Sequence, residues 1–310
     1  MKNMEAMADN RSGVVDAQVR KKNRLAWLTV SMPLLATALA LYRWLAFGIE
    51  PLVLGAFGIG YLLTAAGLEL GYHRYFSHRA FKTTRFMEAL LAILGSSAAQ
   101  GPVFYWATFH RKHHTHTDSV GDPHSPVAPH SEGASEEGLW HAHVGWLFHS
   151  PLDGFGSNIK DLKRVSRLRF INQYYLLWVG LGLILPATIT VLLSGITDLQ
   201  TMIDLVLWTG FVRVFACQHV VWAINSLCHK IGRQDFRSGD NSRNIPLLSL
   251  LMWGAGWHNN HHAFPASASM QLKWFQPDPG LWLLRILAFF RLVWDLRIPE
   301  KVQIESKYIK

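Results

Sequence analysis

Four apolar stretches, each long enough to cross a bilayer as a helix, constrain this chain of 310 residues more than any other feature. They lie at about residues 27–47, 52–70, 173–194 and 201–223. A transmembrane helix needs about 20 apolar residues, and a lipid-embedded backbone must satisfy its own hydrogen bonds. Half of the residues are hydrophobic and only 16% are charged. We therefore expect an all-α integral membrane protein with four transmembrane helices.

Basic residues cluster before the first and third stretches, whereas the short loops around Glu50 and Asp198 carry none. The clusters are Arg20, Lys21, Lys22 and Arg24, and Lys160, Lys163, Arg164, Arg167 and Arg169. Positively charged loops favour the cytoplasmic side, so both termini and the large middle loop are predicted to face the cytoplasm. The net charge of +9 then belongs to loops beside anionic lipid. No basic-aromatic nucleic-acid module is visible.

Three histidine clusters stand at the ends of apolar stretches. They are His73-Arg-Tyr-Phe-Ser-His78, His110-Arg-Lys-His113-His114 and His258-Asn-Asn-His261-His262. Imidazole is the commonest side-chain metal ligand, and residues three or four apart share one face of a helix. The clusters therefore predict a metal site.

The apolar segment Met87–Ala107 separates the first two clusters. If it crossed a core roughly 30 Å thick, those clusters could not share a site, because metal–imidazole bonds are about 2 Å long. We expect one or two interfacial helices here, with every cluster in a cytoplasmic helical cap. The predicted organisation is a flexible cytoplasmic tail over 1–20, a single domain over 21–300 and a C-terminal tail over 301–310.

Ligands that are all nitrogen suit Fe, Zn, Cu or Ni. The H-E-x-x-H pattern of zinc hydrolases is absent, and no Glu has a His three residues later, as carboxylate-bridged di-iron bundles require. Eight histidines exceed what one metal holds. Two metals and oxygen chemistry on iron are the favoured interpretation.

The clusters, in this order and spacing, resemble those of the membrane fatty acyl desaturases of the stearoyl-CoA Δ9 type, in a bacterial form. The similarity covers about residues 52–297. It extends to Gly121-Asp-Pro-His124, His143-Val-Gly-Trp146, Asn225-Ser-Leu-Cys-His229, Arg243-Asn-Ile and Gly256–Pro265.

The resemblance implies nine histidine ligands on two iron ions. The first ion would be held by His73, His78, His110 and His114, with Asn225 reaching it through a water. The second would be held by His113, His229, His258, His261 and His262. We expect the remaining histidines to be solvated, hydrogen-bonded or outside the ligand set. Asp118 and Asp122 are expected to orient ligand imidazoles or to cap loops.

The implied reaction inserts a cis double bond, expected at Δ9, into a saturated acyl chain for unsaturated fatty acid biosynthesis. It uses dioxygen and two electrons from a ferredoxin or a b-type cytochrome, at the bacterial inner membrane. Alternatives are a membrane di-iron hydroxylase, an acetylenase and, in a different class, a histidine-rich metal transporter or sensor. Analysis of the product would distinguish a desaturase from a hydroxylase or an acetylenase, and metal analysis would distinguish the enzymes from a transporter or sensor.

The resemblance also implies a bent apolar tunnel. Tyr61 and Ala65 would close its methyl end, unless they serve only helix packing, and Trp106 and Trp222 would line the bend. Acyl-CoA is the implied substrate, with Arg111 and Lys112 as head-group candidates. The chain departs from animal members at Phe109, Ser150-Pro151 and Ala255, where those have Asp, Arg-Lys and Glu. An acyl carrier protein or a membrane lipid therefore stays open as the carrier.

Overall fold

The computed structural model of the chain describes residues 2–128, 138–149 and 155–309. These residues are helical apart from short loops and a two-residue antiparallel ladder, Lys82–Thr83 with Val293–Trp294. The helices are α1 (Lys2–Phe47), α2 (Pro51–Ser77), α3 (Arg85–Ser96), α4 (Val103–His116), α5 (Ser166–Gln173), α6 (Tyr175–Ser194), α7 (Leu199–Leu227), α8 (Pro246–Leu251), α9 (His258–Ala263), α10 (Pro279–Phe289) and α11 (Lys301–Lys307). Short helical turns occupy Gly138–His149 and Ser157–Lys163.

Four of these helices are long and apolar enough to cross a membrane: Lys22–Phe47 within α1, α2, α6 and α7. The predicted all-α architecture with four spans is confirmed. The leucines near the end of α6 are largely exposed, Leu192 at 77% and Leu193 at 84%, as expected for a surface that meets lipid. The α1 backbone begins at Lys2, so it runs through the predicted tail; the flexibility of that tail and the domain boundaries stay predictions.

The segment Met87–Ala107 does not form a span. It divides between α3 and α4, which are separated by a turn with positive φ at Ala99 (54°) and Gly101 (95°). As a result His110 on α4 reaches His78 after α2, and their Nε2 atoms lie 2.7 Å apart. A membrane crossing between the two clusters would forbid this contact. Of the one or two interfacial helices expected, the structure has two, and neither is long enough to cross a membrane; their position at the membrane interface stays a prediction.

Arg213 of α7 is buried among the spans and hydrogen-bonds mainly to backbone. Its guanidinium donates to the carbonyl of Gly182 in α6 at 2.8 Å and to the Thr64 hydroxyl in α2 at 2.6 Å. The Gly182 carbonyl would ordinarily accept from residue 186, which is a proline without an N–H. Arg213 therefore satisfies the acceptor that Pro186 leaves open in a part of the protein that excludes water.

Gln218, also on α7, donates a hydrogen bond to a carbonyl of α1 that a proline leaves without its helical donor. Pro33 lies inside α1, which leaves the carbonyl of Thr29 without its helical donor. The Gln218 side-chain amide donates to that carbonyl at 3.2 Å and also to Ala99 at 3.3 Å. The polar residues of the fourth span thus complete the hydrogen bonding of the two proline-containing spans.

This pairing predicts a coupling between Gln218 and Pro33. Gln218→Met should destabilise the protein by about 1–3 kcal/mol, because buried acceptors lose their donor. Pro33→Ala returns an N–H to Thr29, so in that background the cost of Gln218→Met should fall by about 1 kcal/mol. Thermal unfolding of the four proteins in lipid nanodiscs measures the cycle. Strictly additive effects would contradict this account.

Candidate metal centre

The nine predicted histidines lie together in two buried groups. In each group one nitrogen of every ring lies within 4.8 Å of the others. The first group contains His73, His78, His110, His114 and His261, and the second contains His113, His229, His258 and His262. Sequence segments from 73 to 262 therefore meet at one place, as the shared metal site requires.

The second and third clusters contain three histidines each, and both divide between the two groups by the same rule. On α4, His110 and His114 join the first group while His113 joins the second; on α9, His258 and His262 join the second while His261 joins the first. Residues four apart point the same way on a helix, whereas consecutive residues diverge by about 100°. Each helix thus supplies both groups and lies between them.

This geometry corrects the expected ligand sets. The expectation placed His261 with the second group, but its Nε2 lies 3.0 Å from that of His73 and 2.9 Å from that of His114. The ring directions on a helix explain the difference, because His261 and His262 cannot aim at one point. Asn225 lines a small cavity together with His73 and His110 of the first group and His258 of the second, so it adjoins both.

The spacing of the nitrogens fits bound metal ions. Nε2 atoms of neighbouring ligands are 2.7 Å apart for His78–His110, 2.9 Å for His229–His258 and 3.4 Å for His113–His262. Two ligands bonded at about 2 Å to one ion, with angles of roughly 90–110°, have nitrogens about 3 Å apart. Several neutral imidazole nitrogens converging at this spacing form a site that a cation would stabilise, so the donor set fits two metals.

Carboxylates fix four of these rings by accepting from Nδ1–H. Glu69 holds His73 at 2.7 Å and Asp240 holds His262 at 2.7 Å. In the same way Asp122 holds His113 at 2.9 Å and Asp118 holds His229 at 3.0 Å. A proton on Nδ1 leaves the Nε2 lone pair for the metal and raises ligand basicity. Asp118 and Asp122 therefore take the orienting role that the sequence suggested.

Electrostatics keep most of the ligands neutral. Burial first, and then the mutual repulsion of neighbouring imidazolium charges, lower the pKa values of six rings well below the ordinary range of histidine. These rings are His78, His110, His114, His258, His261 and His262. Burial also opposes a charge on His113, but the Asp122 carboxylate outweighs it and raises the pKa of that ring. Neutral rings are the metal-binding form.

A buried arginine supports the first group. Arg74 has no exposed surface and pairs with Glu69 at 2.9 Å and with Asp278 at 2.9 Å. It also donates to the carbonyls of Trp253 and Ala268. Because Glu69 accepts from both Arg74 and His73, the ion pair fixes the carboxylate that orients the ligand, and it ties α2 to the C-terminal segment.

An asparagine network holds α9 in place. Asn244 Oδ1 accepts from the backbone N–H groups of Asn259 and Asn260 at the start of the helix. Asn259 in turn accepts from two backbone N–H groups of the 235–236 segment, and Asn260 donates to Gln276 and to the carbonyl of Met270. The two residues between the histidines of the third cluster thus anchor the helix that aims them.

Of two cavities near the cap and the spans, the smaller one touches the histidine groups. It has a volume of about 30 Å³, contacts His73, His110, Trp106 and Asn225 and is otherwise lined mainly by apolar side chains, including Ala255. The larger one, of about 610 Å³, lies between α2, α7 and α8 and is lined by Tyr61 and His219 among apolar residues. The Tyr61 hydroxyl donates to the carbonyl of Leu251 at 2.8 Å. Trp106 also stacks on the ring of His110.

The remaining predicted residues have other surroundings. Ala65 is fully buried in the main apolar core, and Trp222 packs against His143 and His219. Arg111 does not support its expected head-group role, because its guanidinium is occupied by Asp161 and by three backbone carbonyls. Lys112 is half-buried. His130, Ser150 and Pro151 lie outside the described residues.

Glu69 and Asp240 are functional residues that the sequence analysis missed. Glu69 lies one helical turn before His73, so the Glu-x3-His spacing was an available signal. Asp240 precedes its partner His262 by 22 residues, and nothing local announces that contact. His124, expected either to be solvated or to lie beside the ligands, is buried next to His113, with ring centroids 4.4 Å apart.

Comparison with known proteins agrees with this centre. The family described as fatty acid desaturase matches residues 42–278. The hex-5-enoyl-[acyl-carrier protein] acetylenase of Moorena producens (strain JHB) is 40% identical over 87% of this chain and 84% of its own length. The sn-1 stearoyl-lipid 9-desaturase of Synechocystis sp. is 34% identical over 88% and 79%. The acyl-CoA 5-desaturase of Anemone leveillei is 33% identical over 84% and 74%.

The family match spans most of the chain, and the similarity to these relatives covers the whole histidine centre. The four candidate membrane spans and the two histidine groups agree with this match. The chain therefore belongs to the fatty acid desaturase family, with stearoyl-lipid Δ9 desaturases among its relatives.

Proposed function

We propose that this protein is an oxygen-dependent acyl desaturase that inserts a cis double bond, at Δ9, into a saturated acyl chain. The observation that carries the proposal is the position of the two histidine groups directly against an apolar cavity, with His73, His110 and His258 in its wall. The two hydrogens removed from adjacent methylenes, together with two electrons and two protons, reduce dioxygen to two waters.

Two iron ions, held by the two histidine groups, would supply the oxidising power for this reaction. The chain's own residues do the positioning. Glu69, Asp118, Asp122 and Asp240 hold the Nδ1 protons, so that the Nε2 atoms stay available to metal. Leu68, Val221, Ile224 and Met252 line this cavity with hydrocarbon, and because its volume is about 30 Å³, we propose that only the reacting carbons of the acyl chain enter it.

The carrier proposed first is a membrane lipid. The larger cavity lies between two membrane-spanning helices, and two of its lining residues, Leu62 and Leu251, are 51% and 41% exposed at the surface that meets lipid. An acyl tail in the bilayer has direct access there. Acyl-CoA was the expectation from the sequence, but Arg111 is not free to bind a phosphate.

A second candidate is an acyl-carrier-protein acetylenase, which would oxidise an existing double bond to a triple bond. It is favoured by one observation, the 40% identity to a relative named for that reaction. The cavity chemistry is the same for both candidates, so the product separates them. For either candidate we place the centre on the cytoplasmic side of a bacterial inner membrane, because the basic clusters flank that end of the spans.

Expression in a host without desaturases should produce a new cis-Δ9 monounsaturated acid that depends on oxygen, detected by mass spectrometry. In membranes supplied with stearoyl phospholipid, stearoyl-CoA or stearoyl carrier protein, the lipid should be converted fastest. His258→Ala is the matched inactive control. A triple bond, or added oxygen without an alkene, would contradict the desaturase proposal, and conversion of the CoA ester alone would contradict the proposed carrier.

Removal of the carboxylate behind a ligand should weaken iron binding. Asp240→Asn should lower iron affinity by about 10- to 100-fold, because His262 loses the acceptor that fixes its Nδ1 proton. Metal analysis after dialysis against graded chelator measures the change. Asp295→Asn is the control, since that carboxylate is exposed and pairs with Lys82 at 2.7 Å, away from the histidine groups. Equal iron retention in both variants would contradict the assignment of Asp240.

Tyr61 is proposed to limit acyl chain length. It lies 12 residues before His73, or about 18 Å along the helix, and its ring borders the larger cavity. Tyr61→Ala should open this boundary and shift the products towards chains longer by two or more carbons, measured by gas chromatography. Tyr61→Phe, which keeps the ring, should leave the profile unchanged. An unchanged profile in Tyr61→Ala would show that the side chain serves only packing.

A further inference from the structure

The segment 229–244, between α7 and α8, covers the second histidine group from outside. It contributes His229 to that group and places Asp240 against His262 at 2.7 Å. Its charged side chains differ in exposure. Both of its carboxylates are largely buried, whereas Lys230, Arg233 and Arg237 are exposed.

These two carboxylates are fully engaged. Asp235 has a side chain 9% exposed and binds Lys273 at 2.9 Å and the amide of Asn244 at 3.0 Å, and the exposed guanidinium of Arg233 lies 3.5 Å from it. Asp240 has a side chain 8% exposed, and besides His262 it accepts from the hydroxyls of Ser238 and Ser242. Neither carboxylate contributes negative charge to the outer surface.

The outer face is basic. Lys230, Arg233 and Arg237 are exposed, the Arg233 side chain at 77%, and Arg243 is half-buried. The neighbouring helix α11 does not offset this charge. Its ends and body carry two glutamates and two lysines, and Glu305 lies 3.7 Å from Lys301. The described surface over the second group therefore carries a net positive charge.

This surface is connected to two ligands of the second group by short hydrogen bonds. The backbone N–H of the exposed residue Asn241 donates to Asp118 Oδ2 at 2.8 Å, and the same oxygen lies 3.0 Å from His229 Nδ1. Asp240, next in the same turn, reaches His262 directly. By contrast, the carboxylate behind His73 in the first group is buried with Arg74. The turn 238–242 is thus a direct connection between solvent and ligand.

We propose that the outer face of segment 229–244 docks a small acidic one-electron carrier of the ferredoxin kind, and that electrons enter at the second histidine group through the turn 238–242. The inference rests on the proposed function, because each double bond consumes two electrons that the chain does not itself supply. Long-range electron transfer slows steeply with distance, which favours the surface where hydrogen bonds lead directly to ligands.

Charges at the rim of such a surface steer association and make it dependent on salt. The double variant Arg233→Glu/Arg237→Glu should therefore bind an oxidised acidic [2Fe–2S] ferredoxin about tenfold more weakly than wild type at low ionic strength. The difference should shrink near 0.15 M salt, where the screening length is about 8 Å. Calorimetric titration of the full chain in nanodiscs, without acyl substrate, measures both effects.

The matched control is Lys160→Glu/Arg164→Glu, which makes the same change in charge at exposed positions before α5. It should leave ferredoxin affinity near the wild-type value. Iron content should equal that of wild type in both variants, because none of the four substituted side chains belongs to the histidine groups found among the described residues. If the reversal variant fails to fold, Arg233→Gln/Arg237→Gln provides a milder test and should weaken binding about threefold.

Equal weakening by the control pair, or unchanged affinity in the Arg233/Arg237 variants, would overturn the docking site. Binding of a soluble b-type cytochrome domain in place of ferredoxin would overturn the partner. The proposed function is judged separately. A wild-type enzyme that binds ferredoxin through this face but forms no alkene contradicts the desaturase proposal, whereas alkene formation with unaltered affinity contradicts only this inference.

Discussion

Convergence of nine imidazoles on two buried points is the constraint on which this structure depends. Buried polar nitrogens need partners, and a cation held between rings whose Nε2 atoms lie as close as 2.7 Å would satisfy several of them at once. On the other side of the ring, Nδ1 is hydrogen-bonded to a carboxylate in four cases, from Glu69, Asp118, Asp122 and Asp240. Arg74, in turn, balances Glu69 and Asp278. In the cap, carboxylates thus surround the histidine rings, and Arg74 in turn contacts one of those carboxylates.

A second constraint acts within the bilayer, where no water can satisfy a free carbonyl. Pro33 and Pro186 each remove a helical donor, and Gln218 and Arg213 of α7 replace it. The span that carries these residues ends just before His229. Its hydrogen bonds to α1, α2 and α6 thus fix the level of a ligand at the membrane surface. The polar residues that make this span look unsuited to lipid are what hold the bundle together.

Many features could be predicted because they depend on local spacing. The four spans agree with the sequence within a few residues at most ends, since length and hydropathy decide them. The division of Met87–Ala107 followed from the need to bring His78 near His110. The grouping of His261 was wrong because the expectation treated a cluster as one unit, whereas ring directions on a helix divide it. Arg111 looked like a phosphate ligand, but its partners Asp161, Phe76 and Asn158 come from distant segments.

The sequence by itself determined the class of molecule: a helical membrane protein with a histidine-rich metal centre at one end of its spans. Hydropathy and the i,i+4 spacing of ligands are local properties, so they can be read directly from the residues. Only the tertiary structure decided which histidines share a metal, which carboxylates orient them and which charges face solvent. Those features depend on contacts such as His262 with Asp240 and His229 with Asp118, and folding alone sets the distance between residues far apart in the chain.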